Sequence, residues 1–224
     1  MSISIIIPVL NEEESIYGLL LQLQRYRNQG HEVIVVDGGS TDKTISISQA
    51  FADKIIKSKA GRAVQMNNGA SQASFDILWF VHADTLIPDN VIERIQYYLL
   101  NDKNQWGRFN VKLSGSHMLF RIIEKMINLR SCISGIATGD QGIFINKNFF
   151  EVAKGFSNLP LMEDVELCKR LKSISSPVCA KEVLTTSSRR WEQNGILSTV
   201  VLMWRLRFLY WVGISADKLA DQYR

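Results

Sequence analysis

The amino-acid sequence predicts an α/β fold in which helices flank a mostly parallel β-sheet. Over roughly the first hundred residues, short apolar runs rich in β-branched residues alternate with helical patterns. The runs at 3–9, 33–36 and 77–81 lack the polar alternation of a half-exposed strand, which is typical of parallel strands covered on both faces. The alternation therefore predicts a βαβαβαβ unit with right-handed crossovers.

The helices of this unit are indicated by spacing and by their boundaries. The first pattern follows three consecutive glutamates and stops at Gly30, and the fourth begins after Pro88. The predicted helices cover 12–29, 41–52, 62–73 and 90–100. Beyond residue 100 the pattern is less regular, and it predicts strands at 106–113, 142–145 and 177–181 and helices at 117–129 and 162–171.

Composition limits the classes of protein. With 224 residues, 46% of them hydrophobic and 21% charged, the chain can bury a substantial core and is not disordered. The net charge of +4 comes without a block of Lys and Arg, so no nucleic-acid partner is expected. The amino terminus lacks the basic region of a signal sequence, which predicts a cytoplasmic protein.

The cysteines support the same location. Cys132, Cys168 and Cys179 are odd in number, lie far apart and form no CxxC motif. We therefore expect neither a disulfide framework nor a thiolate zinc site.

The carboxy-terminal segment is unusual. We expect one domain over 1–190 and a helical extension over 191–224 packed on it. Thirteen of the seventeen residues in 196–212 are apolar, but Arg205 and Arg207 make a transmembrane span costly by roughly 5–7 kcal/mol. Burial or a homodimer contact is one interpretation. Peripheral contact with the inner face of the plasma membrane, through Trp204, Phe208 and Trp211, is the other.

Polar residues follow the predicted strands, where an open parallel sheet binds its ligand. Asp37 ends the second strand, and its carboxylate can accept hydrogen bonds from a nucleobase or ribose. Asp84 follows the run at 77–81 and can hold a divalent cation together with substrate phosphate, with helix capping as the alternative. The segment 37–44 is not a phosphate-binding P-loop, because Asp42 stands where that loop needs glycine.

Two further segments carry candidate groups. Glu163, Asp164 and Glu166 open a predicted helix behind an apolar stretch, which raises a carboxyl pKa toward that of a useful base. Compensation of the helix dipole is the alternative. Near the carboxy terminus Arg189, Arg190 and Trp191 combine two guanidinium groups with an indole, which suits phosphate and sugar.

Together these segments resemble a known family. In chain order they are Pro8-Val9-Leu10-Asn11-Glu12, Val36-Asp37-Gly38-Gly39-Ser40-Thr41-Asp42, Gly61-Arg62-Ala63, His82-Ala83-Asp84 and Glu163-Asp164. The set is similar to family 2 glycosyltransferases with the GT-A, or nucleotide-diphospho-sugar transferase, fold. Gly139-Asp140-Gln141-Gly142 and Ser188-Arg189-Arg190-Trp191-Glu192 look like a small bacterial branch of that family. The resemblance covers nearly the whole chain.

The resemblance implies an inverting, hexosyltransferase-like enzyme that uses a UDP- or GDP-linked sugar, assisted by Mn²⁺ or Mg²⁺, with an unknown acceptor. It assigns Asp164 as catalytic base, Glu163 as its rival and Asp84 as the metal ligand of a DXD-like motif. The implied nucleotide-sugar contacts are Pro8, Asn11, Glu12, Asp37, Gly39, Arg62, His82 and Asp84. The implied acceptor and diphosphate contacts are Asp140, Gln141, Arg189, Arg190 and Trp191.

One departure from the family pattern keeps a second hypothesis open. His82 stands where many relatives have the first aspartate of DXD. A catalytically silent nucleotide-sugar binding module is therefore the alternative to an enzyme. A nucleotidyltransferase is disfavoured, because Asn11 and Glu12 replace the glycine- and arginine-rich loop typical of that class.

Overall fold

The computed structural model describes residues 1–101 and 104–223, which contain one seven-stranded sheet. The strands are β1 (Ile3–Val9), β2 (Glu32–Asp37), β3 (Lys54–Lys57), β4 (Ile77–Phe80), β5 (Trp106–Leu113), β6 (Phe144–Asn146) and β7 (Val178–Thr186). Their order across the sheet is β3-β2-β1-β4-β6-β5-β7. The predicted α/β class is confirmed.

Helices flank the sheet. They are α1 (Ile16–Arg27), α2 (Thr44–Ser48), α3 (Arg62–Gln72), α4 (Val91–Asn101), α5 (Met118–Ser134), α6 (Lys147–Val152), α7 (Glu163–Lys172), α8 (Arg189–Asn194), α9 (Ile196–Trp211) and α10 (Ala216–Tyr223). A short 3-10 helix covers Gly139–Gln141. The short helix α6 was not among the predicted elements, whereas α10 lies inside the predicted helical extension and α8 begins two residues before it.

The first four strands are parallel, and this sets the position of the site. In the register of the sheet Val9 is opposite Asp37, and Ile6 is opposite Phe80. The carboxyl ends of β1, β2 and β4 therefore lie at one edge. The second half of the sheet is mixed, because β6 runs antiparallel to both β4 and β5 while β7 runs parallel to β5.

Both faces of the sheet are covered by apolar clusters. Along β1 the buried side chains of Ile5 and Ile7 join one cluster, whereas Ile6 joins the other. Neighbouring β2 divides in the same way, with Val35 on the first side and Ile34 on the second. Burial on both faces explains why these strands are apolar without alternation.

The carboxy-terminal helices form a third, smaller cluster. Leu206 of α9 and Leu219 of α10 are fully buried against Met162 and Val165 at the start of α7. The extension thus packs on the helix that carries the candidate base. The expected division between residues 190 and 191 falls within α8.

The cysteine prediction is wrong at two positions. Cys132 in α5 and Cys179 in β7 form a disulfide, with their Cα atoms 5.7 Å apart. The pairing crosses 47 positions of sequence, and only the packing of α5 over the strand pair β5 and β7 brings the two residues together. Cys168 is buried and free.

None of the helices in the described ranges is long and apolar enough to cross a membrane.

Candidate active site

The loops that follow β1 and β2 are joined by hydrogen bonds. Asn11 adopts a left-handed backbone conformation with φ of 54°. Its N–H donates to Ser40 Oγ at 3.0 Å, and its side-chain Oδ1 accepts from the N–H of Thr41 at 2.9 Å. The next residue, Glu12, donates its N–H to Thr44 Oγ1 at 2.8 Å. These bonds hold the segments 11–12 and 37–44 together at the edge of the sheet, and we call these two segments the rim.

Asp37 closes β2 within this rim. Its side chain is only 5% exposed, and its Oδ1 accepts from the N–H of Ser40 at 2.8 Å. Gly39, in the same turn, has φ of +100°, a conformation that side chains disfavour, and the space beside its Cα is open. Pro8 lies buried in β1 opposite Val36.

Gln65 of α3 is a positioning residue that the sequence analysis missed. Its buried Nε2 donates to the carbonyl oxygens of Val9 and Val36, at 2.8 Å each. These carbonyls lie at or next to the ends of the adjacent parallel strands β1 and β2, and that of Val9 also accepts from the N–H of Gly38 at 2.9 Å. Gln65 thus bonds to both strands and holds their ends together. A lone glutamine in an amphipathic helix carries no sequence signal for this role.

His82 and Asp84 follow β4 at the same edge. Burial and then the neighbouring Arg62 lower the pKa of His82 to about 4, against smaller opposing effects of Asp140 and Asp84. His82 is therefore neutral near pH 7. Its ring lies against Gly139, where a side chain's β-carbon would come within 2.7 Å of Nε2. Glycine at 139 allows this close approach.

Glu12 connects the two halves of the edge. The pKa of Glu12 is raised overall. Burial is the largest effect and raises it, a hydrogen bond from the Ser15 side chain lowers it, and the Asp84 carboxylate raises it further. Arg189 and Arg62 also interact with it electrostatically. Glu12 therefore lies within electrostatic reach of the candidate metal ligand and of two cations.

Asp164 and Glu163 begin α7 on the other side of the crevice. Asp164 Oδ2 accepts from the N–H of Gly139 at 2.9 Å, and Oδ1 accepts from the N–H of Val165 at 2.6 Å. Burial, the largest effect, raises the pKa of Asp164, while Arg207 and the two backbone donors oppose it. Burial and then Asp164 raise the pKa of Glu163 to about 7.

Arg62, at the start of α3, joins the two sides. Its side chain is exposed, and its guanidinium group lies among several ionisable groups. Burial lowers its pKa, and four neighbouring acidic groups raise it by more, so the net shift is upward. These groups, in decreasing order of effect, are Tyr223, Glu163, Asp164 and Asp140. One cation thus faces the acids of α7 and the edge residues Glu12 and His82.

The 138–141 loop supports Asp164. Thr138 and Gln141 form a reciprocal capping box. The fully buried Gln141 also donates from Nε2 to Ser131 Oγ at 2.9 Å. Its side chain therefore holds the loop in place, whereas Asp140 is half-buried and faces Arg62 and His82.

The predicted Arg-Arg-Trp element lies on α8. Arg189 pairs with the exposed Glu14, with 3.0 Å between Nη1 and Oε2. Arg190 stacks on the Tyr223 ring at 3.6 Å and donates to the Tyr223 carbonyl at 2.5 Å. Trp191 follows, half-buried. Tyr223 of α10, which the sequence analysis missed, thus stands beside Arg190 and within electrostatic reach of Arg62.

A small cavity lies between the two sides of the site. Its lining includes His82, Glu163 and Asp164, and its volume of about 10 Å³ has room for roughly one water molecule. Residues from the end of β4 and the start of α7 therefore share one enclosed space.

A divalent cation fits this edge in one way. In the described ranges no three His, Cys, Asp or Glu side chains are arranged to enclose a metal. Asp84 supplies one hard carboxylate oxygen there, within electrostatic reach of the Glu12 charge. Such an ion would therefore take its other ligands from water and from substrate phosphate, which is usual for Mg²⁺.

Comparison with known proteins identifies this arrangement. The profile described as "Glycosyl transferase family 2" matches residues 4–127. The chain is 35% identical over 101 residues to an uncharacterized glycosyltransferase, YfnE, of Bacillus subtilis, a match that covers 42% of this chain and 26% of that protein. The chain spans less than half of the length of such curated relatives.

Two solved structures share the fold. S. aureus TarS in complex with UDP-GlcNAc aligns with a TM-score of 0.64 at 17% identity, covering 84% of this chain and 58% of that one. The mannosyltransferase PcManGT of Pyrobaculum calidifontis, in complex with GDP-Man and Mn²⁺, aligns with a TM-score of 0.66 at 18% identity, covering 82% and 56%. The fold is therefore the predicted GT-A fold.

The matched segment runs from β1 into α5 and includes the edge residues that follow β1, β2 and β4. The chain belongs to glycosyl transferase family 2.

Proposed function

We propose that this chain is an inverting glycosyltransferase that moves a sugar from a UDP- or GDP-linked donor to an acceptor hydroxyl. One observation carries the proposal. Arg62 interacts electrostatically both with the edge residues Glu12 and His82 and with the acids Glu163 and Asp164. A donor whose diphosphate lies at this cation would have its nucleoside over β1 and β2 and its sugar toward α7.

The nucleoside end is supported by Asp37 and by the rim that Asn11 stabilises. The Asp37 carboxylate ends a buried strand, and its Oδ1 already accepts a backbone N–H. The open space at Gly39 would admit a base or ribose beside that turn. Complexes with UDP-GlcNAc in TarS and GDP-Man in PcManGT support a nucleotide sugar as the donor class.

Asp164 would act as the general base. Inversion requires the acceptor oxygen to attack the anomeric carbon from the side opposite the departing diphosphate. The new C–O bond forms as the bond to the phosphate oxygen breaks, and the acceptor proton passes to the carboxylate. Asp164 suits this step because backbone donors orient it and burial raises its pKa, which makes it a stronger base.

Arg62 would stabilise the leaving diphosphate, because a guanidinium group binds phosphate oxygens at two points. Asp140 of the 3-10 helix and Arg189, Arg190 and Trp191 of α8 would contact the diphosphate or the acceptor. A Mn²⁺ or Mg²⁺ ion at Asp84 would neutralise negative charge on the departing nucleoside diphosphate. PcManGT with Mn²⁺ supports this choice of ion.

The alternative is a silent nucleotide-sugar binding module. The neutral His82 packed on Gly139 favours it, because a neutral ring replaces a carboxylate at the first DXD position. The two functions predict different products. A binding module would be stabilised by a donor without consuming it.

The test has two stages. A thermal-shift screen of UDP- and GDP-sugars identifies the donor, since a ligand at 100 times its Kd stabilises the folded state by about 2.7 kcal/mol. Proton NMR then follows the identified donor with Mn²⁺ and records the anomeric configuration of the released or transferred sugar. Inverted product supports the proposal, retained configuration contradicts inversion, and binding without turnover favours the silent module.

A further inference from the structure

Helix α9 leaves one apolar face without a partner. Five large side chains on this helix are between 59% and 74% exposed. They are Leu197, Val201, Trp204, Phe208 and Trp211. At 100° per residue they fall within an arc of about 80° on the helix surface. They therefore form one continuous stripe, which we call the α9 stripe.

The rest of α9 explains why its sequence is apolar nearly all round. Leu206, on the opposite side of the helix, is fully buried against α7 and α10. Arg205 and Arg207 lie about 80° to either side of the centre of the α9 stripe. One face of α9 thus packs into the protein core, and the opposite face is exposed. An arginine lies at each border of the exposed face.

Helix α5 repeats this pattern independently. Its exposed apolar side chains recur at spacings of three and four residues and are between 45% and 82% exposed. They are Met118, Ile122, Met126, Leu129 and Ile133. They too cover an arc of about 80°, and we call them the α5 stripe. Two separate helices therefore expose apolar stripes of similar length.

The two helices approach each other at their basic residues. Burial and then Arg207 of α9 lower the pKa of Arg130 of α5 to about 10, so the two guanidinium groups lie within electrostatic reach. Arg130 also donates to the carbonyl oxygen of Ile136, which packs beside the cluster that holds α9. The stripes thus belong to neighbouring helices.

The charge carried by helices α5 and α9 themselves is mostly positive. The basic side chains of the two helices are Arg121, Lys125, Arg130, Arg205 and Arg207. Helix α9 carries no Asp or Glu, and the single acid of α5, Glu124, is buried and accepts from the N–H of Leu113. Glu124 also forms an ion pair with Arg121, with 2.8 Å between Oε1 and Nη2, so the one acid of these two helices is matched by a base and their remaining charges are positive.

We propose that the α5 and α9 stripes form one surface that binds a membrane containing anionic lipids. Anionic headgroups would compensate the basic borders while the apolar side chains enter the interface. Trp204 and Trp211 are of the type that favours the membrane–water boundary. A second copy of the chain fits less well, because it would bring a second set of the same cations against the first.

Docking would also place the site near the lipid surface. Arg207, on the border of the α9 stripe, lowers the pKa of Asp164 and therefore lies within electrostatic reach of the candidate base. The docking surface thus lies close to the candidate active site. The binding measurement below needs no turnover, so its failure is separate from any failure of the proposed function.

The test is co-sedimentation of the full chain with two kinds of vesicle, phosphatidylcholine alone and phosphatidylcholine with phosphatidylglycerol. We expect binding to the anionic vesicles that weakens as salt is added. Lys125→Gln should lower that binding about fivefold, the effect of one cation near an anionic surface. Trp204→Ser with Trp211→Ser, and separately Ile122→Ser with Leu129→Ser, should each lower it about tenfold or more, since apolar burial supports binding.

Val152→Ser is the matched control, because Val152 is as exposed as these residues but lies on α6. It should bind as the wild type does, and circular dichroism should show all variants folded. The proposal is overturned if the wild type ignores anionic vesicles or if the stripe variants bind as Val152→Ser does. It is also overturned if analytical ultracentrifugation shows a dimer that the stripe variants dissociate.

Discussion

Asp164 accepts a hydrogen bond from the backbone N–H of Gly139 over 2.9 Å. This bond joins α7 to the 138–141 loop, and Gly139 in turn lies against the ring of His82. The candidate base is therefore oriented by main-chain atoms of the loop that also contacts the end of β4. Its position depends on the fold of that loop rather than on another flexible side chain.

Gln65→Leu should destabilise the protein and weaken donor binding. The change removes two buried hydrogen bonds, to the carbonyls of Val9 and Val36, at about 0.5–1.5 kcal/mol each, while Val9 keeps its bond from the Gly38 N–H. Urea unfolding measures the loss, and donor titration measures the second effect. Gln72→Leu, an exposed glutamine on the same helix, should change neither. Equal stability of the two variants would show that Gln65 does not hold the strand ends.

Glu163 should make stability depend on pH. Burial and Asp164 raise its pKa in the folded state from 4.5 to about 7, so the folded protein retains this proton more tightly than the unfolded chain. The stabilising effect is complete below pH 4.5 and is lost as the pH rises through about 7. A shift of this size corresponds to a few kcal/mol at most, roughly 1.4 per pKa unit.

Glu163→Gln removes this titration. Between pH 4.5 and 7 the free energy of unfolding of the wild type should fall relative to that of Glu163→Gln. Denaturant unfolding at a series of pH values measures the difference. A constant difference across this range would mean that Glu163 ionises in the folded state as it does in the unfolded chain.

Asp84→Ala should abolish the effect of Mn²⁺ on donor binding. In the proposed function Asp84 would hold the ion at the end of β4, and the donor diphosphate would supply further oxygens. Calorimetric titration of the donor with Mn²⁺ and with excess chelator measures that effect in both proteins. Asp89→Ala, a change of an exposed carboxylate nearby in sequence, is the control. The assignment is wrong if chelator leaves donor affinity and turnover of the wild type unchanged.

Reduction of the disulfide between Cys132 and Cys179 should lower stability. Closing a loop of 47 positions removes unfolded-state entropy equivalent to about 4 kcal/mol. Unfolding of the oxidised protein with and without dithiothreitol measures the change. Cys132→Ser should lose its response to the reductant. A wild type that also does not respond would show that the bond contributes nothing to stability.

The first half of the fold was predictable because β1, β2 and β4 are short runs of apolar, mostly β-branched residues. Strands buried on both faces must be apolar throughout, and parallel neighbours require crossover helices. The mixed second half was less predictable. Strand β6 has only three residues, and its antiparallel pairing with β4 and β5 depends on tertiary packing that local pattern does not record.

The candidate site, like the fold, was predictable from the sequence only in part. Asp37 and Asp84 could be located because the end of a parallel strand is a fixed place in the fold. Gln65 and Tyr223 could not, because their contacts depend on how helices α3 and α10 dock. The pairing of Cys132 with Cys179 was missed for the same reason, since their separation in sequence gives no sign that their Cα atoms lie 5.7 Å apart.

The most direct test of the central claim is release of nucleoside diphosphate from the identified donor by the wild type, Asp164→Asn and Glu163→Gln. Asparagine keeps the shape of Asp164 and removes its basicity. We therefore expect Asp164→Asn to bind the donor as the wild type does but to release nucleoside diphosphate about 10² times more slowly or worse. Near wild-type release by Asp164→Asn, with loss of release in Glu163→Gln, would contradict Asp164 as the base.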